Sequence, residues 1–159
     1  SPARILARGK RMRIMALDIG DRTIGVACSD EGLILASPVE TIKRRGPKAD
    51  AIRIDTLVRE RGVSRVIAGL PLNLRGLEGP QSAKVLDFVE VLRRRLRVPV
   101  ELRDERFTTR EAERTLIAAD LSRERRKEII DQMAAVLILQ NYLDSRPSET
   151  PGAPGGEPQ

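Results

Sequence analysis

The pattern of apolar and polar positions predicts short β segments first and helices afterwards. Arg13 to Leu17 is an apolar run that ends at Asp18, which reads as a strand. Asp18-Ile19-Gly20-Asp21-Arg22 then carries turn chemistry, with Gly20 able to take positive φ. Thr23 to Ser29 is rich in β-branched residues and predicts a second strand. Asp30-Glu31-Gly32 predicts another tight turn. Leu33 to Ile42 is a third strand, whose Pro38 suits an edge. Three strands joined by short turns make an antiparallel meander.

The period then changes. Ala49 to Arg61 sets Ile52, Leu57 and Val58 against Asp50, Arg53, Arg59 and Glu60, an amphipathic helix that Gly62 stops. Arg65 to Leu70 is almost wholly apolar, as expected of a buried parallel strand. Pro71 to Gly79 is a long loop. Pro80 opens a helix to about Arg97, with Val85, Leu86, Val89, Leu92 and Leu96 on one face. Val98 to Arg103 is a fifth strand. Thr108 and Glu111 have capping-box spacing for a helix running to about Ala119. Ser122 can cap a last helix, reaching about Leu143, whose Ile130, Met133, Ala134, Leu137 and Leu139 require burial. The order is β-β-β-α-β-α-β-α-α. It predicts an α/β fold: a five-stranded mixed sheet, three strands antiparallel and two entering by right-handed helical crossovers, with helices on its faces. Residues 1–11 read as a basic arm, 12–146 as one domain, and the Pro/Gly-rich 147–159 as a disordered tail.

Composition narrows the chemistry. Aromatics are 2% of 159 residues, so the core must be aliphatic and no aromatic base-stacking platform exists. No histidine is present, which removes Ser-His triads and histidine metal ligands. Cys28 is the one cysteine, in an apolar run, and reads as a core residue. No stretch approaches a transmembrane span, and the lack of export signals and disulfides favours the cytoplasm. The net charge is +6, with bursts at Arg8 to Arg13, Lys43 to Arg45, Arg93 to Arg97 and Arg123 to Lys127. Such a surface attracts polyanions through phosphate contacts and counterion release.

Three carboxylates stand out. Asp18 ends the first strand, and Glu105 lies just past the fifth, which points the same way. Both therefore emerge at one sheet edge. Asp131 lies in the last helix, beside Gln132 on a polar stripe within an apolar stretch. Converging carboxylates bind hard cations such as Mg²⁺ or Mn²⁺, and a pair of such ions can drive phosphodiester hydrolysis without histidine. Structural readings stand beside these: Asp18 as a turn residue, Glu105 paired with Arg103 or Arg106, and Asp131 paired with Lys127, Arg125 or Arg126.

The run Leu17-Asp18-Ile19-Gly20-Asp21-Arg22-Thr23-Ile24-Gly25-Val26-Ala27-Cys28-Ser29-Asp30 resembles the opening motif of the YqgF/RuvX family. Gly69-Leu70-Pro71-Leu72-Asn73, with Gly76 and Gly79, resembles its second motif. Asp104-Glu105-Arg106-Phe107-Thr108-Thr109 with Ala112, and Asp131-Gln132-Met133-Ala134-Ala135 with Ile138-Leu139-Gln140 and Tyr142-Leu143, resemble the others in order and spacing. The resemblance covers Met12 to about Leu143. It implies a ribonuclease-H-like fold related to RuvC resolvases, with Asp18, Glu105 and Asp131 as catalytic metal ligands. It also implies a nuclease that matures the 5′ end of pre-16S rRNA, or alternatively a Holliday-junction resolvase. Asp21, Thr23 and Phe107 depart from the usual pattern, and Asp21 adds negative charge near the site.

Arg75 and Arg106 are candidate phosphate contacts, and Phe107 is either a base-stacking or a core residue. Expected partners are structured RNA or branched DNA, and the sequence leaves open whether the chain forms a homodimer. Two rivals remain. An actin-like or sugar-kinase ATPase shares the Asp-x-Gly hairpin but needs a second domain, for which this chain is too short. A non-catalytic nucleic-acid-binding or ribosome-assembly module would not need all three carboxylates.

Overall fold

The computed structural model describes residues 12–71, 79–104 and 123–146, with side chains in the last segment from residue 132. The five strands are β1 (Arg13–Ile19), β2 (Thr23–Ser29), β3 (Ala36–Lys43), β4 (Val63–Leu70) and β5 (Val100–Asp104). The helices are α1 (Pro47–Glu60), α2 (Pro80–Arg95) and α3 (Arg123–Ser145). The strands form one mixed sheet in the order β3-β2-β1-β4-β5. β1 pairs antiparallel with β2, and β2 with β3. β4 pairs parallel with β1, and β5 with β4. This is the expected meander with two parallel additions. The expected helix from Thr108 to Ala119, the Ser122 cap, the arm and the tail lie outside the described residues.

Two apolar layers hold the sheet. Met15, Leu17 and Ile19 alternate onto one face, where α1 and α2 supply Ile54, Leu57, Val58, Val85, Phe88, Val89 and Leu92. Ile14 and Ala16 alternate onto the other face, against Ala135, Ile138, Leu139, Tyr142 and Leu143 of α3. β1 is therefore covered on both sides, which explains its unbroken apolar run. Cys28 lies in the first layer, as expected. Burial pushes its thiol pKa up, against the opposing charges of Arg61 and Arg13.

Element boundaries shift where local chemistry decides them. β3 begins at Ala36, three residues later than expected, because the turn before it is longer. The Asp30 carboxylate accepts hydrogen bonds from the amides of Ile34 (2.8 Å) and Leu35 (3.0 Å). Those bonds hold the Asp30 pKa low, with Leu35 the larger cause. Leu33, rather than Gly32, adopts positive φ there, at 58°. Pro38 sits on the edge strand opposite Ala27, beside a register shift, where a missing N–H is harmless. Gly62 ends the turn after α1 with φ 64°, as its position predicts.

Helical periodicity misassigned two α1 residues. Ile52 was expected on the apolar face but is 40% exposed. Asp50 was expected on the polar face but is only 2% exposed. Asp55 is also buried, and its carboxylate takes a bond from Arg59 Nη2 (2.7 Å) and another from Arg95 Nε (3.2 Å). It joins the far ends of α1 and α2.

The Arg59 bond, more than the Arg95 bond, holds Asp55 below its ordinary pKa of 3.8. A depressed folded-state pKa adds stability above the unfolded value, which is lost as pH falls through the folded one. Asp55→Asn should therefore be less stable than wild type at neutral pH. The gap should close as pH falls below 3.8. Urea denaturation at a series of pH values measures both; a gap independent of pH would contradict the ion-pair account.

Candidate active site

The parallel pairings bring the final residues of β1, β4 and β5 to one edge of the sheet. Leu17 is level with Ala68, and Leu70 with Asp104. Asp18 occupies this edge at 7% exposure. Its alternation with Ile14 and Ala16 places it on the α3 face. Its partner across β2 is Gly25. One step past the Leu17–Ala68 pair on the other side is Gly69, which pairs in turn with Arg103. The carboxylate thus stands between two residues without side chains.

Glu105 follows directly after the last residue of β5, two strands from β1, which is about 10 Å at ordinary strand spacing. Its own placement lies outside the described residues, as do Arg75, Arg106 and Phe107. Asp131 lies within α3, although its side chain is outside the description. Its position is three, four and seven residues before the buried Ala134, Ala135 and Ile138. Among the described residues, no three potential ligands gather into a metal site.

Sequence reading missed the support behind Asp18. The two-strand turn closes with the Gly20 amide donating to the Thr23 carbonyl at 2.9 Å. A Cβ at Gly20 would come within 3.1 Å of that oxygen, so glycine is needed for close approach and not for positive φ. Arg44 reaches the same turn and donates to the Gly20 carbonyl through Nη1 at 2.9 Å. Its Nε donates to Asp50 at 3.0 Å, and its guanidinium lies 4.7 Å from the Phe88 ring centroid. Asp50 also accepts the Arg45 amide at 2.9 Å. One buried ion pair therefore ties the β1–β2 turn to the start of α1 and to α2. The available signal was an acidic residue in a helix's first turn just after an Arg-Arg pair. On the far side, the Ser82 hydroxyl donates to the Pro71 carbonyl, fixing the start of α2 to the end of β4.

The family model described as RuvX, Holliday junction resolvase, matches residues 12–145. The chain belongs to the RuvX family. A protein of Desulforudis audaxviator named "Putative pre-16S rRNA nuclease" is 52% identical over 137 residues, covering 86% of this chain and 97% of that one. A relative of the same name from Thermoanaerobacter pseudethanolicus is 54% identical, covering 85% and 98%. Among solved structures, Thermus thermophilus RuvC with a Holliday junction substrate superposes with a TM-score of 0.52 at 15% identity, covering 84% of this chain and 97% of that one. The fowlpox virus Holliday junction resolvase gives 0.50 at 18%, covering 85% and 100%. The fold is accordingly RuvC-like, of the ribonuclease-H kind. No helix among the described residues is long and apolar enough to cross a membrane.

Breaking a buried ion pair from one side leaves an uncompensated charge. Arg44→Met should cost about 3–5 kcal/mol in urea denaturation. Arg44→Met with Asp50→Leu should recover much of it. A single variant as stable as wild type would show that the pair does not brace the turn.

Proposed function

We propose that this protein is a divalent-metal-dependent nuclease that trims the 5′ end of pre-16S rRNA, with Asp18, Glu105 and Asp131 as the metal-holding carboxylates. The observation that carries the reading is Asp18, a buried carboxylate on the α3 face of the central strand, flanked by Gly25 and aligned with Gly69. The relatives' shared name supplies the substrate class.

The direction of α3 supports Asp131 as a partner. Gln140 accepts from the Ala36 amide and donates to the Ile34 carbonyl, both at 2.9 Å. Ala36 pairs with Ser29, whose hydroxyl accepts from the Ile14 amide at 2.9 Å. The C-terminal part of α3 is thus anchored where β1 begins. Nine residues back along the helix is about 13 Å, and Ile14 to Asp18 is also about 13 Å of strand. These matching lengths support the reading that groups Asp131 with Asp18, and the position of Glu105, next in sequence after the end of β5, supports its inclusion.

The donor set suits the ions. All three are carboxylates, the hard oxygen ligands that Mg²⁺ or Mn²⁺ prefers, and two ions fit the phosphodiester chemistry. When bound, the metal supplies charge neutralisation at the scissile phosphate and a more acidic water. The chain's own part is to fix Asp18 through the turn braced by Arg44 and to set glycine beside it on the neighbouring strand. Arg106, next to Glu105, and Arg75, between β4 and α2 in sequence, are assigned to phosphate contacts. The cytoplasm is the compartment in which such an RNA would be met.

Cleavage of branched DNA is the second reading, and the family description favours it. RNA and DNA phosphodiesters make the same demands on this edge, so a substrate panel decides. Asp18→Asn should nearly abolish cleavage in Mg²⁺ or Mn²⁺ while retaining affinity, since it removes ligand charge and keeps shape. Rates on a pre-16S 5′-leader RNA, single-stranded DNA and a four-way junction, with a thermal melt of each protein, measure this. Wild-type turnover by folded Asp18→Asn would overturn the proposal. Junction cleavage without RNA cleavage would transfer it to the resolvase reading.

A further inference from the structure

We infer that Arg59, Arg94, Arg95 and Arg97 form a second binding site for nucleic-acid backbone, remote from Asp18. The four side chains and Asp55 line a concavity of about 390 Å³ between the far ends of α1 and α2. The inference rests on the nucleic-acid-processing reading above and extends it to how a long substrate is held.

Charge makes the case first. Asp55 is the one acidic residue of the lining, so three positive charges stand in excess around a small hollow. Glu90 adds nothing there, because it is engaged by Arg93 at 3.0 Å. Arg94 and Arg97 are exposed and have no carboxylate partner among the described residues. Cations in a helix's last turn are favourable to its dipole, but that effect does not call for a cluster. Close like charges repel, and an anion relieves that repulsion.

Arrangement makes it second. Arg59 and Arg95 share the buried Asp55 carboxylate, so their guanidinium groups are held in place before any ligand arrives. Arginine presents a planar fork that matches phosphate oxygens, and pre-placement lowers the entropy lost on binding. The neighbouring groove past the end of α1 sets Arg13 and Arg61 against Asp30 and Glu60, so the excess of positive charge is confined to the hollow between the two helix ends. A single small anion would leave most of this surface unused. A phosphodiester chain repeats its charge along its length and can meet several of the arginines at once.

Position makes it third. α1 starts beside the turn that follows Asp18 and runs 14 residues to the cluster, about 20 Å away. That distance is about six base-pair steps of duplex. The cluster also lies on the sheet face opposite α3. It can therefore grip a structured substrate well beyond the scissile phosphate, but not the phosphate itself.

The test measures affinity of Arg94→Gln/Arg97→Gln for RNA and DNA duplexes of about 30 base pairs, over a salt series, with Asp18→Asn added in both proteins to stop turnover. Affinity should fall at least ~10-fold at moderate salt, and the salt slope should become shallower by about 1–2 units, one per lost phosphate contact. A larger effect with one duplex identifies the preferred backbone. Cleavage of an oligonucleotide too short to span the two sites, measured with Asp18 intact, should be unchanged. In wild-type protein, duplex should protect Arg94 and Arg97 from an arginine-specific dicarbonyl reagent, a readout that needs no variant to fold. Unchanged affinity and slope in a folded variant, or no protection, overturns the site while leaving the nuclease reading intact. Loss of affinity in a protein that cleaves nothing would instead retain the site and refute the nuclease reading.

Discussion

A carboxylate cannot enter the packed face of a sheet unless something offsets its lost hydration, and this constraint shapes the architecture around Asp18. β1 is buried on both sides, and its α3 face is apolar through Ile14 and Ala16. Asp18 breaks that run at the point where the strand reaches the edge. The neighbouring strands place glycine beside it, and the following turn is braced by Arg44, whose side chain is half-buried. A strand end that served packing alone would gain more from a valine.

The same constraint explains why the support is ionic. Arg44 holds the Gly20 carbonyl from a half-buried position, and a guanidinium drawn out of water needs an anion. Asp50 supplies it, and the Phe88 ring covers the remaining face. The cost of desolvating both charges means that the pair adds little net stability, while losing either partner is expensive. Its value is geometric: it links the turn after β1 to both helices of the opposite layer. Gln140 performs a similar task across α3, tying that helix to the β2–β3 turn through two bonds of opposite sense.

Most of the sheet was legible in the sequence because it is governed by local rules. Apolar runs of strand length, Gly62 after a helical stretch, Pro80 opening one and Pro38 at an edge each have one mechanism, and each is found where expected. Asp18 was legible as the residue ending a buried strand, and Cys28 as core. Other features depend on contacts far apart in the chain. Asp50 and Asp55 sit at helical positions that periodicity assigns to solvent, and their burial depends on arginines: Arg44, before the helix, for Asp50, and Arg59 of the same helix with Arg95 of α2 for Asp55. Gly25 and Gly69 matter because register aligns them with Asp18, and register is set by pairings 7 and 51 residues away in sequence. The β2–β3 turn ran long because a side chain, Asp30, replaced backbone partners.

The arginines show how a net charge divides between structure and ligand. Much of the positive charge comes in four bursts along the sequence, but the arginines do different work. Arg44 is spent inside the protein. Arg93 donates to the Val100 carbonyl through both Nε and Nη2 and fixes the link from α2 to β5. Arg53 is paired with Glu40 on β3, which raises its already high pKa through that bond. Arg65 joins Glu101 and the Tyr142 hydroxyl at the start of β4. Counting charges therefore overstates the surface available to a polyanion, since a guanidinium and a carboxylate paired one to one have no net charge to offer. What remains for a phosphate backbone is decided by geometry: the arginines whose neighbours are other arginines, gathered where two helices end together and their one shared carboxylate is already satisfied.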